Sequence, residues 1–143
     1  MRNHRSTVIA FGVVLLTAAF SSYAIGETQE SQARLIHSSG TGTLKVGQEK
    51  FEITSVVVKL FDDHKLELTL VSDITIFLSG TWTSSPDGQQ PIEIKTSSKD
   101  SASSLDATGK LTLGSNGNSV ERLTVNGASR TSKRSFEITF RGK

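Results

Sequence analysis

The sequence has no cysteine and is poor in proline and in aromatic residues: its 143 residues include no Cys, two Pro, one Trp and one Tyr. Without Cys the chain can form no disulfide scaffold and no Cys-ligated zinc site, and it can carry out no thiol chemistry. No apolar run reaches the ~18 residues that a membrane-spanning helix requires. The length suits a single domain. A small domain without disulfides must be held together by its own apolar core.

Residues 1–24 have the three parts of a secretory signal peptide. Two arginines near the start precede an apolar stretch from Val8 to Phe20, and Ser22 and Ala24 supply the small residues before a cleavage site. An uncleaved anchor is the alternative, but thirteen helical residues reach only about 20 Å, short of the ~30 Å hydrocarbon core. We therefore expect cleavage after Ala24, export to a bacterial periplasm or the extracellular space, and a mature form without a membrane span.

Cleavage would also change the charge of the chain. Of the 16 basic residues, Arg2 and Arg5 would be removed, which leaves 14 against 14 acidic residues that all follow Ala24. The mature net charge is then zero, and the pI near 9.0 describes the precursor only. A basic pI of the precursor is no argument for nucleic-acid binding by the mature chain. We expect no nucleic-acid partner.

From residue 40 onward, apolar and polar residues alternate with a period of two, the pattern of β-strands. The clearest inward rows are Leu66/Leu68/Leu70 and Phe136/Ile138/Phe140. About eight such strands, separated by turn residues, predict an all-β domain at 40–143, built as a small antiparallel β-sandwich or β-barrel. The polar residues 25–39 are expected to form a tether or one helical turn before it.

Local breaks in the alternation predict irregularities in the strands. The apolar phase slips by one residue at Thr54–Ser55, and Val120 is out of phase with Leu123. Such a slip predicts a bulge, because a plain one-residue shift would turn every apolar side chain outward. Gly80 marks a point where a strand could bend sharply.

The chain also contains a weak internal echo. Residues 41–47 (TGTLKVG) resemble 108–114 (TGKLTLG), and a second pair, 51–54 and 136–139, reads FEIT in both copies. A duplicated half-domain would explain the first pair. Similar strands bounded by glycine turns would explain both.

Few candidate catalytic groups remain after the predicted signal peptide. The remaining histidines are His37 and His64, and His64 follows Asp62 and Asp63 directly. This cluster could be a metal or acid–base site, but Asp and His are also common in hairpin turns, which is the interpretation we favour. No G-x-S-x-G, phosphate-binding loop or metal-ligand spacing occurs. The sequence predicts no catalytic residue, no metal and no cofactor.

The strongest local charge bias is at the C-terminus, where six basic residues oppose two acidic ones after Val120. Three of the six, Arg130, Lys133 and Arg134, lie in a predicted loop between the last two strands. They are our candidate surface-binding residues, for an acidic polysaccharide, a lipid head group or a partner protein. The alternative is a solvated hairpin tip.

These observations favour a secreted or periplasmic, non-catalytic β domain that acts by surface binding, as an envelope or extracellular accessory protein with a partner that the sequence does not name. A small barrel that carries an apolar ligand is the alternative, and an enzyme with an unrecognised site is a third. Ile74, Ile76, Leu78 and Trp82 are expected to form one apolar face, with Trp82 as a core aromatic. The residues that carry chemistry, rather than the fold, must decide among these classes.

Overall fold

The computed structural model describes residues 32–98 and 104–143. Within these ranges the regular structure is entirely β, and no helix there is long and apolar enough to cross a membrane. The predicted signal peptide and residues 25–31 lie outside the described residues. The strands are β1 (Ala33–Val46), β2 (Glu49–Phe61), β3 (Lys65–Val71), β4 (Thr75–Trp82), β5 (Gln89–Ser97), β6 (Leu105–Leu113), β7 (Val120–Ser129) and β8 (Ser135–Gly142).

The eight strands form a closed antiparallel barrel. Each strand pairs with the next one along the chain, and β8 pairs back to β1 from Gly40↔Gly142 to Val46↔Phe136. The all-β prediction is thus confirmed, and of its two forms the barrel is the one adopted. Closure removes the free strand edges that would otherwise invite pairing with another chain.

The alternating apolar side chains fill the inside of the barrel. Leu66, Leu68 and Leu70 are at most 1% exposed, and Phe136, Ile138 and Phe140 at most 2%, which confirms both predicted inward rows. Among the described residues, twenty-three apolar side chains form one buried cluster, each 4% exposed or less. The barrel is therefore a packed core, as expected where eight strands leave an interior that side chains can fill.

Inward-facing glycines let the strands approach closely enough to close the barrel. A β-carbon built on Gly80 would overlap the carbonyl oxygen of Glu93, and one built on Gly109 would overlap the carbonyl oxygen of Thr124. The β4–β5 register also shifts between Ser79 and Gly80, at the bend that the sequence predicts. A larger residue at either glycine would push two neighbouring strands apart.

The predicted slip at Thr54–Ser55 is a β-bulge in the pairing of β1 with β2. Ser39 pairs with Ser55 and Gly42 with Ile53, so three steps along β1 span two along β2. The extra residue is on β1, opposite Thr54. It lets the buried positions on β2 pass from Ile53 to Val56 without turning the strand inside out.

Three local expectations are corrected by the structure. β1 begins at Ala33 rather than near residue 40, because Ser38 takes an inward position that an apolar residue usually marks, so the alternation is hidden. Ile74 is 41% exposed, outside the apolar face that we expected it to join, because it precedes β4 in the β3–β4 turn. Trp82 is only partly buried: it packs against the core and its Nε1–H donates to the Phe61 carbonyl oxygen at 3.1 Å.

The internal echo does not match a duplicated half-barrel. Residues 41–47 lie on β1 and its turn and 108–114 on β6 and its turn, five strands apart. The second echo relates β2 to β8, six strands apart. Duplication of four strands would relate β1 to β5, so similar strand chemistry is the better explanation.

The packed core makes a direct stability prediction. Leu68→Ala removes a side chain that is 1% exposed, and we expect it to lower the free energy of unfolding by about 2–5 kcal/mol. The matched control is Leu35→Ala on β1, whose side chain is 64% exposed, with an expected change within about 0.5 kcal/mol. Chemical denaturation measures both. Equal losses would contradict the inward assignment of the β3 row.

Candidate functional site

The predicted binding loop connects β7 to β8, as the sequence indicates, but its three candidate residues do different things. The Nη2 atom of Arg134 donates to the Val46 carbonyl oxygen at 3.0 Å and lies 3.1 Å from Glu49 Oε2. Arg134 therefore ties the β7–β8 loop to the β1–β2 turn. Arg130 Nη2 lies 3.9 Å from Asp106 Oδ2, and Lys133 is exposed with φ of 59°. The structure does not gather the three cations around one point.

A second group of cations lies toward the opposite end of the same hairpin. Arg122 on β7 pairs directly with Arg141 on β8, while the predicted loop starts beyond the Ala128↔Ser135 pair. Six residues of strand at ~3.3 Å each separate these two levels by about 20 Å. The positive charge of the C-terminal region is thus divided between two separate places.

The outward side chains around the arginine pair form two rows that cross four strands. The first row, from β6 to β1, is Thr112, Arg122, Arg141 and Thr41, and the second is Lys110, Thr124, Thr139 and Thr43. Lys110 therefore lies one level along the strands from the two arginines. The hydroxyls of Thr43 and Thr139 lie 3.0 Å apart. We call these eight side chains the cationic face.

An open cavity of about 580 Å³ lies over part of the cationic face. Its lining includes four cationic side chains, Lys110, Arg122, Arg141 and Lys143, and one carboxylate, Glu121. Lys110, Arg122 and Arg141 are all exposed. The cavity is a polar depression on the outside of the barrel, open to solvent.

The three strand cations of the cationic face have no ion pair with any residue that the structure describes. Elsewhere on the barrel, lysines do have carboxylate partners: Lys59 lies 3.6 Å from Glu67 and Lys65 lies 3.1 Å from Asp63. Lys110 Nζ lies 3.5 Å from Gln89 Oε1, a neutral acceptor. The positive charge of the cationic face is thus poorly neutralised by its surroundings.

Asp87, in the β4–β5 turn, is an acid whose surroundings include the charge of Lys110. A hydrogen bond from the Ser85 hydroxyl and another from the Gln89 backbone N–H hold the pKa of Asp87 below its usual value, and the charge of Lys110 adds a smaller effect. Because the contribution of Lys110 is smaller than those of the two hydrogen bonds, Asp87 neutralises Lys110 only weakly.

The position of Arg122 depends on a bulge at the start of β7. Val120 pairs with Leu113 and Arg122 with Thr112, so Glu121 is the extra residue, which explains the broken alternation at Val120. The backbone N–H of Val120 donates to Ser38 Oγ at 2.6 Å in a buried contact between strands that are not neighbours. Ser38 is 7% exposed, so this bond fixes the bulge from inside the barrel.

The His64 cluster is a hairpin turn, as predicted. His64 has φ of 68° and its N–H donates to the Phe61 carbonyl oxygen at 3.0 Å. Asp63 Oδ1 accepts from the backbone N–H of Lys65 at 3.2 Å, and the His64 ring lies 5.7 Å from the Trp82 ring. His37 faces outward on β1, exposed. Across the two described ranges, no three His, Cys, Asp or Glu residues are grouped so that they could hold a metal ion.

Sequence reasoning counted Arg122 and Arg141 in the C-terminal charge bias but did not pair them, and it missed Lys110. Charged residues that are neighbours in a loop can be recognised from the sequence. Charged residues that oppose each other on paired strands can be recognised only when the register of the pairing is known. A register that aligns inward Leu123 with Phe140 would have placed Arg122 against Arg141.

Comparisons of this chain with protein-family models, with curated proteins and with solved structures found no match. The function is therefore argued from the residues of the barrel alone.

The buried bond at the bulge can be tested by deleting one hydroxyl. Ser38→Ala leaves the Val120 N–H unpaired inside the barrel, which we expect to lower the free energy of unfolding by about 1–3 kcal/mol. Ser39→Ala, at an exposed position on the same strand, is the matched control and should change it by less than about 0.5 kcal/mol. Thermal or chemical unfolding gives both values. If Ser38→Ala is as harmless as its control, the hydroxyl does not hold the bulge.

Proposed function

We propose that this chain is an exported, non-catalytic binding domain that holds an anionic partner on the cationic face. The observation that carries the proposal is the direct opposition of Arg122 and Arg141, both exposed and neither paired with a carboxylate among the described residues. The export part rests on the signal-peptide pattern of residues 1–24 and on nothing else.

The arginine pair costs the unliganded barrel some stability. Like charges directly opposite each other on neighbouring strands are destabilising. Two unit charges about 5 Å apart repel by roughly 0.8 kcal/mol in water, and by more where the solvent is partly excluded. An anion between them would reverse the sign of this term and accept charge-assisted hydrogen bonds from both guanidinium groups. The face is electrostatically better satisfied with a ligand than without one.

The packing of the barrel supports action from the outside. Its interior holds 23 apolar side chains that are 4% exposed or less, which leaves the carrier alternative without support from the described residues. Two cavities lie on the outer wall: besides the one over the cationic face, another of about 490 Å³ lies outside β3–β5, beside the exposed Phe77. The titratable side chains of the described residues are likewise placed where water reaches them, which suits binding better than acid–base catalysis.

The predicted loop residues fit this proposal less well than the cationic face does. Arg134 is occupied by the Val46 carbonyl and by Glu49, and Arg130 faces Asp106. A variant that reverses Arg134 would loosen the β1–β2 turn as well as remove a charge. Tests of the loop therefore use Arg130 and Lys133 only.

The test is retention of the full chain, purified after expression, on a carboxylate-bearing cation-exchange matrix at low ionic strength. We expect the double variant Arg122→Gln/Arg141→Gln to elute at clearly lower salt than the unmodified protein, because it loses the adjacent charges that meet the matrix together. Lys59→Gln/Lys65→Gln removes the same net charge from ion-paired positions on β2 and β3. This control should elute close to the unmodified protein.

Two results would contradict the proposal. Equal shifts in the two double variants would mean that only net charge is sensed. A larger shift in Arg130→Gln/Lys133→Gln than in the arginine-pair variant would assign binding to the predicted loop instead. Melting temperatures of all the variants establish that each one is folded.

A further inference from the structure

The cationic face is more than a set of charges, because hydroxyls outnumber cations on it. Of its eight side chains, three are cationic and five are threonines. The cations follow one line across three strands, from Lys110 on β6 to Arg122 on β7 and Arg141 on β8. With ~4.8 Å between strands and ~6.6 Å between the levels of Lys110 and the arginines, this diagonal line is about 12 Å long, and the flanking threonines extend it to a fourth strand.

The carboxylate of Glu121 restricts which anion the face can accept. Glu121 is exposed and lines the same cavity as Arg122 and Arg141. A ligand made only of phosphate or sulfate groups offers no hydrogen-bond donor to this carboxylate and is repelled by its charge. A ligand that carries hydroxyl groups beside its anionic groups can donate to Glu121 while its anions meet the arginines.

On this basis we propose that the partner is a linear polymer of sugar acids, in which carboxylates alternate with hydroxyls along an extended chain. The inference rests on the proposed function and specifies the chemistry of the anion. Arg122 and Arg141 bind the carboxylates of adjacent units, because a guanidinium group matches a carboxylate in two-point geometry. Lys110 adds a third charge, and the threonines and Glu121 hydrogen-bond the sugar hydroxyls.

The surroundings of the face disfavour two other polyanions. Single-stranded nucleic acid is usually held by aromatic side chains on which bases stack. Neither row of this face contains an aromatic side chain, since Phe136 and Phe140 point inward and the exposed Phe77 lies on β4. An anionic bilayer is best held where apolar side chains flank the cations. The exposed apolar residues Leu35, Ile74 and Phe77 belong to the β1 start and the β3–β4 hairpin.

The experiment measures binding of the purified full chain to several soluble probes at one fixed ionic strength. Oligogalacturonate and hyaluronate fragments are the sugar-acid probes, with inorganic polyphosphate, single-stranded DNA and phosphatidylglycerol/phosphatidylcholine vesicles as the others. We expect at least one sugar-acid probe to bind about tenfold more tightly than polyphosphate of the same charge. Arg122→Gln/Arg141→Gln should weaken that binding at least tenfold.

Glu121→Ala is the most discriminating variant. Recognition of sugar hydroxyls and recognition of charge alone predict opposite changes in the affinity for a sugar acid. If Glu121 accepts sugar hydroxyls, its loss weakens sugar-acid binding severalfold while polyphosphate binding tightens. If the face senses charge alone, removing a carboxylate tightens both. Glu137→Ala, on β8 two levels along from the arginine pair, is the matched control for the change in net charge and should leave the preference between probes unchanged.

The outcomes separate this inference from the proposed function. Tighter binding of polyphosphate, DNA or vesicles than of both sugar acids, or tightening of sugar-acid binding by Glu121→Ala, would overturn the inference while an anionic partner stands. Binding of no probe, together with retention on the exchange matrix that ignores the arginine pair, would overturn both. A sugar acid that binds equally well to the arginine-pair variant would also overturn the inference, since the site would lie elsewhere.

Discussion

The register of the β7–β8 hairpin is the constraint on which the rest of this structure depends. Leu123 and Val125 face Phe140 and Ile138 across the hairpin, and all four are at most 2% exposed. Because side chains alternate between the two faces of a strand, a slip of one residue would expose this whole set. Burial therefore fixes the register, and the register in turn places the outward side chains opposite one another. The opposition of two arginines is a consequence of packing on the other side of the sheet.

Closure of the barrel determines where function can reside. Glycines such as Gly80 and Gly109 allow strands to approach closely, and the small interior is then filled by aliphatic and aromatic side chains. A filled interior leaves the outer wall and the loops for recognition. On the outer wall, the β2–β3 region carries lysines paired with acids, whereas Lys110, Arg122 and Arg141 on β6–β8 have no such partner among the described residues. This asymmetry exists although the mature chain is expected to be neutral overall.

The bulge at Glu121 connects the core to the candidate site. Ser38 reaches from β1 to the backbone N–H of Val120, so a buried hydroxyl on one strand sets the path of another strand two places away. Arg122 comes directly after the bulge, so the bulge fixes the position of its backbone. Preorganisation of this kind lowers the entropy that a ligand must overcome in ordering its site.

Much of the fold could be predicted because the strands follow from the alternation of apolar and polar residues between near neighbours in the sequence. The Leu66/Leu68/Leu70 row, the bulge near Thr54 and the turn at His64 all follow from neighbouring residues and were expected. The start of β1 was missed because Ser38 and Gly40 occupy inward positions without an apolar side chain. The choice of a barrel over a sandwich depends on the pairing of β1 with β8, about a hundred residues apart in sequence. The cationic face depends on the registers of three strand pairings, β6–β7, β7–β8 and β8–β1, whereas the Arg130–Arg134 loop is contiguous in sequence and therefore attracted the first functional prediction.

A double-mutant cycle on Arg122 and Arg141 tests the central claim most directly, because it measures whether the two charges repel each other in the unliganded barrel. The free energies of unfolding of the unmodified protein, Arg122→Gln, Arg141→Gln and the double variant are compared at low and at high salt. We predict that either single neutralisation relieves the repulsion, so that the pair shows an unfavourable coupling of about 0.3–1 kcal/mol at low salt. It should vanish near 1 M salt, where the screening length falls to about 3 Å. A coupling of zero, or a favourable one, at low salt would contradict the account.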